Sequence, residues 1–551
     1  MQLDYLKYII AVKQYGSINK AAEKLYISQQ YISKVLKTME HESGKTLFVR
    51  SNHGVELTVD GEKVYQFAMK YTQMRNTLDE ELTLRYLRDI KGNLRIGAVN
   101  TASAMVLPQI LCRYYHDYPN IKNLFSDLEW EKLRQDDGHI YWIPQFSCIK
   151  NEEKVCTHND EAFWIQARVL KWAGYPEIKT MDDYFNLIES YNEANPTMED
   201  GTENIPYTIL CDDWRYFCLE NAPQFLDGYP NDGSCMVDPD TLTVLDYNTS
   251  DTAVAYFRKL NEEYQKGIVD PESFTQSYDE YISKLSTGRV LGMIDQWWDF
   301  SNANDAIKQA GLDEQGCDYI PVPVTIDGRD NQWHNSGGAF NESSGLAITT
   351  SCEDVEGALQ FVNDLLDQDI HNLRFWGVEG TDYEVDENGE FYRTEEERTK
   401  QSDTAYKASH TCPYSYFPQY TGTSDDGINA NKPDGQASEF FDGLNQDVKE
   451  TFEAYGVETY VEMLGTNEAP GDWYPMWSFS NNFTTDTPGG VAWNKIADVK
   501  HEQLPQVVMA KDFDAAWDTY MDAYNACHPE DFISELQTEL DTRMEQAAKF
   551  K

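Results

Sequence analysis

SINKAAEKLYISQQYISKVLKTMEHESGKTLFVRSNHGVELTVDGE, residues Ser17–Glu62, decides how the first part of this chain folds. Ahead of it Leu3, Leu6, Ile9 and Ile10 recur at helical spacing and stop at Gly16. Ser17 is a good N-cap for a second helix whose inner face is Ile18, Ala21, Ala22 and Leu25. A short turn leads to a third helix starting near Ser28, with Ile32, Val35, Leu36 and Met39 inward. That leaves Gln29, Gln30, Tyr31, Ser33, Lys34 and Lys37 for solvent. Two helices on a tight turn, the second exposing Gln, Ser and Lys near its start, form a helix-turn-helix. Gln pairs bidentately with adenine, and Lys reaches guanine or phosphate. The β-branched segments around Asn52–Gly54 then read as a wing, placing Arg50 and His53 to meet phosphate or the minor groove.

Outward from this stretch, Val64, Phe67, Tyr71, Met74, Leu78 and Leu82 space a long helix over residues 60–90 with a coiled-coil-like seam. The charge then breaks. Residues 1–100 hold 15 Lys+Arg against 11 Asp+Glu, a balance of +4, and residues 101–551 hold 30 against 83, a balance of −53. Such a step marks modules with different partners. At 551 residues two or three domains are expected. The 35 Tyr and 13 Trp are concentrated in the acidic part and suit surfaces that stack on flat ligands. The start, MQLDYLKYIIAVKQYG, has neither a basic n-region nor a long apolar h-region, and no run is long enough to span a bilayer, so a cytoplasmic product is expected as written. The ten Cys are scattered without a CxxC pair and read as reduced thiols; no metal site and no cofactor is implied.

The run from Ser17 to Glu62 resembles the DNA-binding domain of LysR-type transcriptional regulators. The resemblance is carried by the alanine pair, Ser28–Gln29, Ser33–Lys34, Gly44, Leu47–Phe48, Arg50 and Leu57–Thr58 with Gly61. Gln30 stands where that family commonly has proline, and Tyr31 where it has a small residue. The resemblance implies that residues 1–59 bind double-stranded DNA and that residues 60–90 form a homodimer. Residues 91–122, with a strand at Leu94–Val99 and a helix at about Ser103–His116, resemble the first βα unit of that family's effector domain. Past Lys122 the pattern stops.

Residues 123–551 supply DDGHIYWIPQ (136–145), FWIQARVLKWAGYPEIKTMDDYFNLIESY (163–191), TAVAYFRKLNEEYQKGIVDPE (252–272), STGRVLGMIDQWWDF (286–300) and FWGVEGTDYEVDENGEFY (375–392). The second reads as two helices, one ending at Gly174 and one capped by Thr180 with Asp183. The fourth reads as a Gly-bounded strand delivering two tryptophans. Asp386–Glu387–Asn388–Gly389 reads as a hairpin turn, not a calcium loop. In this order the segments resemble the carbohydrate-type solute-binding lipoproteins of ABC importers. The resemblance implies a multidomain chain: a helix-rich winged helix-turn-helix with a dimerisation helix, then an α/β, two-lobed periplasmic-binding-protein-like fold of type II. It implies a sugar-like ligand gripped by Asp295, Trp297 and Trp298, with Trp142, Trp214, Trp376, Glu379 and Tyr383 as further candidates. That family opens with a lipoprotein signal and further βα units where this chain has the regulator-like start, so an incomplete first lobe is expected. Two functions follow. One is a DNA-binding regulator whose C-terminal module senses a sugar-like ligand. The other is an oligosaccharide-binding body placed behind an unrelated regulator start by deletion or misassembly. No HExxH, GxSxG, P-loop or GxGxxG occurs in context, so no enzyme is expected.

Overall fold

Three helices and a hairpin build the N-terminal unit: α1 (Leu6–Tyr15), α2 (Ile18–Lys24), α3 (Gln29–Ser43), β1 (Phe48–Ser51) and β2 (Gly54–Leu57). The computed structural model describes residues 5–15, 17–24, 29–51, 54–68, 70, 119–135, 137–144, 148–158, 160–329, 340, 345–412, 414, 416–465 and 470–550. The apolar positions at helical spacing close into one core of Leu6, Ile9, Val12, Ile18, Ala21, Ala22, Ile32, Val35, Leu36 and Met39, joined by Leu47 and Phe48. β1 and β2 pair antiparallel with Arg50 opposite Val55, as expected of a wing. Glu40 ties wing to helix, its Oε1 accepting the N–H groups of Leu47 (2.9 Å) and Phe48 (3.1 Å). A further helix runs over residues 59–68. Half-buried Val64 packs against this core and Phe67 is exposed. Tyr71, Met74, Leu78, Leu82 and the βα unit of 91–122 up to residue 118 lie outside the described residues, as do Ser28 and His53.

Residues 1–97 and 98–551 form separate compact units. In the second, β3 (Cys148–Lys150), β4 (Glu161–Gln166), β5 (Ile205–Thr208), β6 (Met236–Asp238), β7 (Thr243–Leu245), β8 (Val290–Gln296), β9 (Tyr319–Val322), β10 (Glu384–Val385), β11 (Phe391–Tyr392) and β12 (Tyr420–Gly422) are interspersed with helices. The main sheet has the order β5-β8-β4-β9, with β8 parallel to β5 and antiparallel to β4. Two hydrophobic cores result. One surrounds this sheet and takes in the C-terminal helices. The other gathers Ile121, Phe125, Trp130, Ile143, Leu359, Val362 and Tyr420 beside the parallel pair β3 and β12.

Local readings fare unevenly. Thr180 and Asp183 form a reciprocal capping box, and Gly267, at φ +79°, ends the helix Asp251–Lys266. Asp386 accepts the N–H of Asn388 and Glu390 in the β10–β11 turn. Phe163–Gln166, expected to be helical, is instead the end of β4, and the helix starts only at Ala167. A central strand buried on both faces shows no alternation, so a short apolar run there is indistinguishable from a helix by period.

Candidate nucleic-acid interface and aromatic platform

On α3 the buried face is Ile32, Val35, Leu36 and Met39. Gln29, Gln30, Tyr31, Lys34 and Lys37 are exposed and Ser33 is half-buried. Gln29, Gln30, Ser33, Lys34 and Lys37 line one shallow groove together with Thr38 and His41. The last two were missed in the sequence, although His41 lies one turn beyond Lys37 on the same face. Tyr31 meets Tyr8 of α1 edge-on, with centroids 5.9 Å apart, so its ring is braced by the first helix. The backbone of Arg50 stands in β1, opposite Val55. The groove carries Lys34 and Lys37 and no acidic residue, so it suits phosphate as well as base edges.

In the acidic unit, β8 delivers a second arrangement. Gly288 turns the chain two residues ahead of β8 at φ +71°, where a Cβ would stand 2.9 Å from Cys317 Sγ. All of β8 but Gln296 is buried, and the next residue begins the helix Trp297–Gln309. Successive tryptophans therefore part company. Trp297 turns inward against Trp164, Phe300 and Tyr460. Trp298 stays 44% exposed and stacks on Trp214, itself 54% exposed, at a centroid distance of 5.7 Å and 8° between planes.

Arg215 lies over the Trp214 ring. Its guanidinium lies 4.4 Å from the Trp214 centroid and 3.9 Å from that of Tyr278. Its Nε donates to both oxygens of buried Asp299 (2.9 and 3.1 Å). Tyr278 adds a hydrogen bond from its hydroxyl to the Asp299 carbonyl (2.6 Å). Sequence reasoning missed Arg215, Tyr278 and Asp299, which meet only through contacts 84 and 21 residues apart. Asp295 lies fully buried beneath. Tyr281 Oη (2.7 Å), Cys218 Sγ (3.3 Å) and the Gln296 N–H (2.7 Å) donate to its carboxyl, so it supports the strand end and presents no oxygen to a ligand in this conformation. Burial and the neighbouring Asp299 push it up to about 7.

The other candidates lie elsewhere. Trp142 packs against the second core. Trp376 is fully buried, donates to the Ala430 carbonyl (3.0 Å) and offers no free face. Tyr383, also buried, packs on Trp376 and Phe391, and Glu379 is exposed on the turn between them. Among the described residues no group of three His, Cys, Asp or Glu could hold a metal ion, and no helix is long and apolar enough to cross a membrane.

Comparison with known proteins gives two family matches. Residues 3–62 match the bacterial regulatory helix-turn-helix protein, lysR family. Residues 119–376 match the bacterial extracellular solute-binding protein. Among curated relatives, the uncharacterized HTH-type transcriptional regulator YkuM of Bacillus subtilis is 32% identical over 144 residues, 25% of this chain and 49% of the relative. AlsR of the same organism is 35% identical, over 25% of this chain and 45% of the relative. BenM of Acinetobacter baylyi is 31% identical, over 22% and 40%. The chain thus spans about half the length of the curated relatives it matches or less. Among solved structures, the S. pneumoniae ABC-transporter substrate binding protein FusA, an EF-hand mutant in complex with fructo-nystose, aligns over 80% of this chain and 82% of its own. The TM-score is 0.51 and the identity 16%. An extracellular solute-binding protein from Bifidobacterium longum subsp. infantis aligns over 79% and 84%, at a TM-score of 0.50 and 16% identity. At that identity the likeness is one of fold. The chain therefore carries a lysR-family helix-turn-helix domain at residues 3–62 and a bacterial extracellular solute-binding domain at residues 119–376.

Proposed function

We propose that this chain is a LysR-type transcriptional regulator that binds double-stranded DNA as a homodimer in the cytoplasm, and whose C-terminal module senses a sugar-like ligand. The observation that carries the reading is α3, which spends Ile32, Val35, Leu36 and Met39 on its core and turns Gln29, Gln30, Ser33, Lys34 and Lys37 to one groove. In the major groove Gln29, Gln30 and Ser33 read base edges, Lys34 and Lys37 reach guanine or phosphate, Arg50 and His53 meet phosphate or the minor groove, and Ser28 and Tyr31 are further DNA contacts. The Trp214–Trp298 pair, braced by Arg215, offers flat apolar faces of the kind that stack on sugar rings. Trp297 and Asp295 set its position. The matched relatives are regulators and solute-binding proteins, which supports binding over catalysis.

A duplex selected from a randomised pool by the full chain, titrated with and without neutral oligosaccharides, tests the coupling. A ligand-dependent change in affinity or bend is expected, and unchanged affinity and bend with a ligand bound rules the coupling out. The second reading, an oligosaccharide-binding body behind an unrelated start, is favoured by one observation: the solute-binding match begins at residue 119, where the regulator-like pattern gives out. One amplicon across the codons for residues 80–160 decides between them, since an uninterrupted frame supports the regulator and two separate genes support the rival.

A further inference from the structure

Beside the second core, the helix Gln368–Phe375 carries Arg374, which forms an ion pair with no described carboxylate. Arg374 is 4% exposed. Its Nη1 donates to the carbonyls of Leu365 (2.9 Å) and Pro418 (2.8 Å), which accounts for one end of the guanidinium. The side-on edge, Nε and Nη2, is buried and makes no hydrogen bond. Partly buried Lys432 reaches the same aromatic ring, Phe375. Its Nζ and the Arg374 Cζ each stand 5.1 Å from the centroid of Phe375. His371, fully buried, packs on that ring at 4.6 Å; its Nε2 accepts the Tyr420 N–H (3.0 Å) and its Nδ1 has no partner. Lys150, 5.0 Å from the Tyr420 ring, is differently placed, being paired with Asp425 (2.7 Å).

No described carboxylate forms an ion pair with Arg374 or Lys432. The electrostatics follow. Burial lowers Arg374 to about 10. Lys432 is lowered by burial and by Arg374, with Asp434 and Cys148 opposing. His371 is held at about 2 by burial and the charges of Arg374, Lys432 and Lys150, with the Asn431 backbone opposing, so its imidazole is neutral. Two cations sharing one ring repel, and a desolvated guanidinium edge without acceptors is a costly thing to bury. That edge is the geometry with which arginine grips two oxygens of one anion.

The geometry points to a binding site for one small oxyanion, held side-on by Arg374 Nε and Nη2 with Lys432 as the second cation. The site is independent of the Trp214–Trp298 pair and of its ligand. A planar carboxylate and a tetrahedral phosphate or sulfate share the two-oxygen chemistry, and the test separates them.

The full chain is titrated calorimetrically with sodium acetate, phosphate and sulfate in separate runs, at an ionic strength fixed with chloride. Saturable one-to-one binding of at least one of them is expected, and the order of affinities names the planar or the tetrahedral class. Lys432→Met weakens it by about tenfold or more, and Arg374→Lys, which keeps charge but loses the fork, does the same. Lys432→Met leaves the Leu365 and Pro418 contacts intact, so it decides the matter where Arg374→Lys fails to fold. The proposal is overturned if no oxyanion binds above the chloride control, or if Lys432→Met binds as the parent does, which would mean an adventitious ion only.

Discussion

Glu40 shows how one side chain can hold a helix and the hairpin after it together. Its Oε1 accepts two wing N–H groups, so Glu40→Ala leaves the N–H groups of Leu47 and Phe48 without that acceptor. A loss of about 1–3 kcal/mol in the N-terminal unit is expected, read as a lowered first melting transition. On the platform, Trp298→Ala removes half of a stacked pair while leaving Trp297 in the core. Sugar affinity should fall about tenfold or more with the melting temperature nearly unchanged, and undiminished affinity would remove the platform from the site. Some of this was legible. The alternation of buried and outward residues on α3 follows from helical period alone, and so does the exposure of Gln29 and Lys34. Asp295 was not: a carboxylate beside two tryptophans looks like a ligand contact, and only the folded chain brings Tyr281 and Cys218 to it. Arg215 and Asp299 escaped for the same reason, their meeting being a matter of tertiary structure.

Among the elements, capping signals such as Thr180 with Asp183 can be read locally because the cap residue and its partner are three residues apart. The identity of β4 cannot, since its burial on both faces is set by β8 and β9. The helix Gln446–Tyr455 illustrates a cost visible only in three dimensions. Near its start Asp447 faces Asp318, whose Oδ2 accepts from Asn445 Nδ2 (2.8 Å), and neither Asp447 oxygen has a donor. Burial and the Asp318 carboxylate push Asp447 up to about 8. Protonated, Asp447 can itself donate to Asp318; ionised, the two repel. A carboxyl raised in the folded state contributes stability that is whole below its unfolded pKa, about 4, and is lost as pH climbs through the folded value. Asp295, up to about 7, and Asp232, up to about 6, act in the same direction. The acidic unit should therefore melt higher at pH 5 than at pH 8. Asp447→Asn should recover roughly 1–2 kcal/mol at pH 8 and less at pH 5. Equal effects at both pH values would remove the shared proton from the account.

For the whole molecule, a unit balanced at +4 over residues 1–100 is joined to one at −53. Screening over about 8 Å softens the repulsion between the acidic unit and DNA at physiological salt. With few cations on α3, a modest salt dependence of binding is expected, so recognition must come from base contacts more than from bulk charge. The central claim is that α3 reads sequence. It is tested most directly by selecting duplexes from a randomised pool with the full chain and with the Gln29→Ala, Ser33→Ala variant side by side. The account predicts an enriched, two-fold symmetric motif for the parent. The variant should lose preference at defined positions, by about 1–3 kcal/mol per base contact, while keeping non-specific affinity. No enriched motif, or a variant weakened uniformly over all sequences, would contradict it.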